Sequence, residues 1–221
     1  MNVLVVTAHH DDLELGCGGT VARLVDGGHH VTSLVMTHSG YRGPDGLEVR
    51  SAETAIREAR RAAEILGYDL VTLNADTLDI AENDANVCEI VSLIKRLSID
   101  TVMIHWHADT HPPHQRVHRM AIHAARHVPR ILGFAVNWYL GDATFAPRLF
   151  VGITESQWQR KIQALRCYEG ELRRTGERWI AHVEHVAAIY GTTIGVARAE
   201  GFVPYKFVWD IAKGESNAAF A

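Results

Sequence analysis

Hydrophobic residues along the first half of the chain come in two alternating patterns. Val3 to Thr7 is a continuous β-branched and aliphatic run, the pattern of a strand covered on both faces. A polar, glycine-containing loop follows from His9 to Gly19, and Thr20 to Val25 reads as a helix stopped by Gly27 and Gly28. His30 to Thr37 predicts a second strand, and His38 to Gly46 a loop rich in glycine and proline. From about Ser51 to Leu66, Ala55, Ala59, Ala62, Ala63 and Leu66 fall on one helical face, with Gly67 as the stop. Asp69 to Leu73 predicts a third strand, Val87 to Leu97 a helix, Thr101 to Ile104 a fourth strand, and His114 to His127 a helix. Strand and helix alternating in this way predict βαβ units and an α/β, Rossmann-like, mostly parallel sheet flanked by helices. Beyond it the pattern loosens into an irregular C-terminal elaboration. Glu155 to Arg174 reads as helix with Thr154 as its N-cap, while Val183 to Tyr190 and Ile194 to Ala199 fit strand or helix equally. No linker or repeat interrupts the chain, so residues 1–221 are read as one domain.

Composition narrows the function. With 221 residues, 47% of them hydrophobic and 22% charged, the chain can bury a core and is not a disordered or fibrous protein. Its formal charge of -4 lacks the basic footprint of a nucleic-acid binder. Cys17, Cys88 and Cys167 are far apart and odd in number, which excludes a disulfide framework and fits a reducing compartment. The apolar N-terminus reads as a strand, not a signal peptide, and no run reaches membrane-spanning length; a cytoplasmic protein is expected. A homo-oligomer is compatible with all of this.

The 14 histidines change the picture, because they gather where ligands bind in such folds. Open α/β sheets bind beyond the carboxyl ends of their strands. Two loops at such ends read Ala8-His9-His10-Asp11-Asp12-Leu13-Glu14 and His105-Trp106-His107-Ala108-Asp109-Thr110-His111-Pro112-Pro113-His114. Imidazole and carboxylate suit zinc, and a set of two histidines and one carboxylate also suits ferrous iron. Of the Asp11-Asp12 pair, one carboxylate can face the metal and the other act as a base toward water. Gly16-Cys17-Gly18-Gly19 lacks the dinucleotide spacing, and the acidic run before it would repel phosphate. His105 and His107 stand two apart at a strand end and are expected to share a face, as ligands or as structural histidines. His118 stands one helical turn after His114, so both could bind metal, and for His118 the surface reading is preferred.

With these motifs the sequence resembles the LmbE-like/PIG-L family of zinc-dependent N-acetylglucosaminyl deacetylases. The family's strand running into Ala-His-Pro-Asp-Asp-Glu, with or without an extra residue before the Glu, is matched by Ala8 to Glu14, and its glycine-rich turn by Gly16 to Thr20. Its His-Pro-Asp-His motif is matched by His111-Pro112-Pro113-His114. Weaker echoes are Ala62 to Gly67, Lys161 to Leu165 and Ala199-Glu200-Gly201-Phe202. The resemblance implies that His9, Asp12 and His114 bind zinc, and that Asp11 is the general base. It implies that His111 stabilises the oxyanion or protonates the leaving amine, and that Arg50 contacts substrate. The chain departs from the family at His10 (proline in the family), at Leu13 (glutamate in the shorter motif) and at Pro113 (aspartate).

The expected activity is removal of an N-acetyl group from a small soluble N-acetylglucosamine-type conjugate. Trp106, Trp138 and Tyr139 are candidates to stack on the sugar. The competing reading is a non-catalytic Rossmann-like protein that binds metal or nucleotide, which His10 and Pro113 would favour.

Overall fold

The computed structural model describes residues 1–139 and 141–209. Strands β1 (Asn2–Thr7), β2 (His30–Thr37), β5 (Asp69–Ala75), β6 (Thr101–His105) and β7 (Arg130–Phe134) lie parallel in the order β5-β2-β1-β6-β7. Two antiparallel strands, β9 (Ala199–Phe207) and then β8 (Leu149–Gly152), complete a seven-stranded sheet. A short hairpin of β3 (Tyr41–Arg42) and β4 (Glu48–Arg50) stands apart from it.

Seven helices accompany the strands among the described residues: α1 (Asp12–Asp26), α2 (Ala52–Leu66), α3 (Asp84–Arg96), α4 (Pro112–Ala124), α5 (Glu155–Leu165), α6 (Glu169–Thr175) and α7 (Arg178–Ile194). Alternate residues of β1 serve two cores. Val3 and Val5 pack with Leu13, Val21, Ala59, Leu66 and Trp158 on one face. Leu4 and Val6 pack with Ile90, Leu93, Val117 and Met120 on the other. Double-sided burial is why β1 reads as an unbroken apolar run, each large side chain contributing about 1.5–3 kcal/mol.

The fold class stands, and so do β2, α2 with its stop at a left-handed Gly67, and Thr154 as the N-cap of α5; the structure adds that Ser51 is the N-cap of α2 and that Thr154 and Gln157 form a capping box. Four expectations change. The loop expected from His9 to Gly19 is mostly helix, because α1 starts at Asp12. Its glycines are there for close packing, since a β-carbon on Gly16 would run into the Phe134 ring and one on Gly19 would press on Glu200 and Ile153 at 3.1 Å. The loop from His38 holds the β3–β4 hairpin. The helix expected from Glu155 to Arg174 breaks into α5 and α6 where Tyr168 is buried and donates its hydroxyl to His10 O at 2.6 Å. Val183 to Tyr190 is helix, within α7, and Ile194 to Ala199 is mostly the turn leading into β9. Among the described residues no helix is long and apolar enough to cross a membrane.

Candidate active site and metal centre

From β1 the chain winds outward to β2 and β5, then crosses back to start β6 on the other side of β1. The reversal leaves a crevice at the carboxyl ends of β1 and β6, the usual ligand position in such sheets. His9, Asp11 and Asp12 leave β1 on one side of it, and Asp109, His111 and His114 leave β6 on the other. Asp12 is the first residue of α1, where the helix dipole favours a carboxylate, and its Oδ2 accepts the His9 amide at 2.7 Å.

Acceptor atoms of three residues meet in this crevice. His114 Nε2 lies 3.2 Å from Asp12 Oδ1 and 3.2 Å from His9 Nδ1, and His9 Nδ1 lies 3.5 Å from Asp12 Oδ2. The other nitrogen of each ring is already held. His114 Nδ1 donates to Asp109 Oδ2 at 3.0 Å, and His9 Nε2 to Thr77 O at 3.2 Å. With those protons assigned by their partners, the two nitrogens facing each other carry lone pairs beside a carboxylate. Only a cation or an added proton can relieve such a set. Burial opposes a charge on His114, yet Asp12 and Asp109 outweigh it and carry its pKa to about 10. Burial likewise works against the Asp12 carboxylate, and the imidazoles of His114, His105 and His9 hold it well below its ordinary range. The donor chemistry therefore fits a divalent metal such as zinc, with each imidazole anchored from behind.

Asp11 stands next to this set without joining it. Its Oδ2 accepts from Arg50 Nη1 at 3.1 Å, and Arg50 Nη2 reaches Glu58 Oε2 at 2.9 Å. Burial raises the Asp11 carboxyl to about 6, with Arg50 pulling downward and Asp12 pushing up. His111 stands at the N-cap position of α4 and faces the same pocket, its ring 5.1 Å from that of His9 and 4.7 Å from that of His114, centre to centre. Burial, His114 and His9 lower its pKa to about 4, so it is a neutral imidazole near pH 7. All six candidate residues, His9, Asp11, Asp12, Arg50, His111 and His114, line one cavity of about 240 Å³.

Other histidines separate from this group. His10 is buried against β5 with Nε2 3.1 Å from Thr72 Oγ1, and burial followed by Arg50 drives its pKa down to about 3. His118 is buried, not at the surface, and its Nδ1 bonds His105 O at 2.8 Å. His105 and His107 do not share a surrounding, because β6 ends at His105 and strand alternation stops there. His107 is exposed and pairs with Tyr205, whereas His105 is buried, stacks on His114 at 4.0 Å and sits 3.2 Å from Asp12 Oδ2. His105 is the participant that sequence reasoning left undecided; its place at the end of a fully buried strand was the available signal. Of the aromatic candidates Tyr139 alone lines the cavity, while Trp106 packs on Phe145 and Trp138 on His182.

Residues 4–125 match the model of the PIG-L family, described as GlcNAc-PI de-N-acetylase. The chain belongs to the PIG-L family. It is 32% identical over 176 residues to the uncharacterized deacetylase YaiS of Escherichia coli K12, covering 76% of this chain and 90% of that protein. It is 30% identical over 234 residues to the diacetylchitobiose deacetylase of Thermococcus kodakarensis, covering 93% and 84%. Its fold matches the conserved protein TT1542 of Thermus thermophilus with a TM-score of 0.79 at 26% identity, over 97% of this chain and 99% of that one. Membership places the chain among deacetylases.

The departures from the PIG-L motifs can now be located. His10 faces away from the three converging acceptors. Glu14 lies in the first turn of α1, accepts from Tyr68 and Tyr168, and does not line the cavity. With proline at position 113, the carboxylate behind His114 comes from Asp109, which also accepts the His111 amide at 2.8 Å and Asn137 Nδ2 at 3.0 Å. The fainter PIG-L echoes at Lys161 and Glu200 form a buried ion pair of 2.6 Å. That pair, from α5 and β9, is set against α1. Cys17 leaves helical backbone angles, Gly19 N donates to Glu200 Oε1 at 2.9 Å, Thr20 N to Glu200 Oε2 at 2.6 Å, and Lys161 Nζ reaches Leu15 O at 3.0 Å. In an unbroken helix Gly19 N would bond Leu15 O. Lys161 and Glu200 thus occupy the two sides of one opened helix bond and cap both halves.

Proposed function

We propose that this PIG-L chain, acting as one domain, is a zinc-dependent N-deacetylase that hydrolyses the acetamide of a small, soluble N-acetylglucosamine-type conjugate in the cytoplasm. The observation that carries this reading is the meeting of three lone-pair-bearing atoms from His9, Asp12 and His114 beside a carboxylate, Asp11, that stays outside the set. When bound there, zinc would supply Lewis acidity toward the acetyl oxygen and lower the pKa of water in its open position.

The chain's own residues do the rest. Asp11, ionised above about pH 6, takes the proton of the attacking water as its oxygen bonds to the acetyl carbon. Arg50 holds that carboxylate in place through one nitrogen and is itself held by Glu58 through another. His111, neutral near pH 7, donates a hydrogen bond to the oxygen on which negative charge develops. As the C–N bond breaks, the proton on Asp11 goes to the departing nitrogen and the carboxylate is restored; the free amine leaves with acetic acid, whose remaining proton passes to water or to the amine to give acetate. Asp109 orients His114 from behind, a type of contact that supports metal affinity.

The test is acetate release from a panel of N-acetylglucosamine derivatives by protein of measured metal content. Zinc near one equivalent together with acetate is the expected result. Protein that binds no metal under conditions that preserve it would overturn the proposal. Zinc with no acetate from any member of the panel would instead support the non-catalytic metal-binding alternative.

A further inference from the structure

The turn that carries Asp11 has its peptides pinned by side chains from distant parts of the chain. Ala8 N donates to His105 Nε2 at 3.0 Å, and Ala8 O accepts from Thr37 Oγ1 at 2.8 Å. His10 N donates to Ser39 Oγ at 3.1 Å, and His10 O accepts the Tyr168 hydroxyl at 2.6 Å. The two bonds at His10 belong to different peptide planes. Ser39 holds the plane that joins His9 to His10. Tyr168 holds the plane that joins His10 to Asp11, the last link before the carboxylate proposed as the base.

Tyr168 reaches Asp11 by a second route. Its ring lies under the Arg50 guanidinium, with Cζ 5.3 Å from the ring centre. That is within the ~6 Å over which an aromatic face attracts a cation. Arg50 Nη1 is in turn the donor to Asp11 Oδ2 at 3.1 Å. One side chain thus fixes the backbone that enters Asp11 and supports the cation that holds its carboxylate. Tyr168 itself is fully buried at the start of α6 and does not line the cavity. The converging metal-site residues have other supports: His9 Nε2 is held by Thr77 O, His114 Nδ1 by Asp109, and Asp12 by the start of α1.

We propose that Tyr168 is a positioning residue for the base: from outside the cavity it sets the direction of the Asp11 carboxylate and leaves the metal set to its own supports. This inference rests on the deacetylase reading and adds what keeps the base at its working angle. A reacting group misplaced by about 1 Å can lose on the order of 10²-fold in rate, so a buried tyrosine that never meets substrate can control turnover through such a link.

Tyr168→Phe keeps the ring and removes only the hydroxyl. Glu14, which meets that hydroxyl at 3.1 Å, retains its shorter bond to Tyr68 at 2.6 Å. The zinc-loaded variant is assayed for acetate release from the panel member that the unaltered chain turns over fastest. Its kcat should fall about tenfold, the size of one hydrogen bond to a positioned group, with KM and the zinc Kd within about threefold. Tyr168→Leu, which also removes the ring under Arg50, should lose about a hundredfold. Made in an Asp11→Asn background, Tyr168→Phe should lose less than about twofold, because the group it positions is gone. An unchanged kcat, a parallel loss of zinc affinity, or the full loss persisting without the Asp11 carboxylate each overturns the proposal.

Crystal structures of the zinc-loaded chain and its Tyr168→Phe variant decide the matter apart from turnover. In the variant, Asp11 and Arg50 should shift or take two positions while His9, Asp12 and His114 keep theirs. An unmoved Asp11 overturns the positioning role. A displaced Asp11 in a protein that releases no acetate supports that role, and the deacetylase reading then fails alone.

Discussion

Helix α1 runs between two buried groups of charge. At its N-terminus Asp12 faces His9 and His114, and with both imidazoles neutral the facing atoms of the three residues are all acceptors. Midway along, Lys161 and Glu200 face an opened helix bond, and their contacts pair donor with acceptor: Lys161 with Leu15 O and Glu200, Glu200 with Gly19 N and Thr20 N. Both groups are largely buried, both join distant segments, and both coincide with family motifs. What separates them is closure. The Lys161–Glu200 group is complete, so it holds the fold; the His9–Asp12–His114 group is completed only by a cation or a proton, which is the ground on which we propose it as the metal site. Burial of charge alone does not mark a functional site, whereas charge arranged without its counterpart does.

The sharpest way to break this contrast is to remove the central carboxylate. Asp12→Ala should abolish zinc binding and reduce turnover by more than the ~10²–10⁴-fold expected for loss of a base alone. It should also erase the rise in Tm that zinc confers on the unaltered protein by binding its native state, as metal analysis and thermal scans would show. Retained zinc in that variant would mean the converging acceptors are not the metal site.

Asp11→Asn comes next. Turnover should fall ~10²–10⁴-fold with zinc content unchanged. Loss of zinc here would reverse the two aspartates.

On the structural side, Lys161→Met should cost about 3–5 kcal/mol of stability in denaturant unfolding by stranding the Glu200 charge. The double variant Lys161→Met/Glu200→Leu sharpens the point. Replacing an ordinary buried ion pair with apolar residues is often neutral or stabilising. Here Leu15 O, Gly19 N and Thr20 N would lose their partners, at about 1–3 kcal/mol for each left unsatisfied. The double variant is therefore expected to remain clearly destabilised, and recovery to full stability would show that the pair is not the cap of the broken helix.

The smallest effect belongs to Asp109→Asn. Zinc affinity should drop about 10–100-fold, as for other partners that orient a ligating imidazole, with little change in Tm of the metal-free protein. An unchanged affinity would leave Pro113 without the compensation argued for it.

Much of this was legible along the chain, for reasons that differ by element. β1 and β6 are covered on both faces, so their apolar runs stand out without any partner in view. Ser51 and Thr154 cap their helices through local bonds, to Thr54 N and Gln157 N, and local chemistry is what a sequence displays. The start of α1 was hidden for the opposite reason. Gly16, Gly18 and Gly19 resemble a loop, and only the crowding of Phe134, Lys161 and Glu200 shows why a helix would carry them.

The site divides along the same line. Sequence by itself determined the α/β class, the two strand-end loops that carry the histidines, and the residue types that suit a metal, because strand periodicity and side-chain chemistry are local properties. Tertiary structure alone decided which histidines converge. His105 lies beside Asp12, His10 turns to Thr72, His118 goes inside, and Asp109 takes the position behind His114. Those choices depend on how β1, β5 and β6 align and on where α1 and α4 begin, and contacts such as Asp12 with His105 or His10 with Thr72, made between segments far apart in the chain, leave no periodic trace in the sequence that forms them.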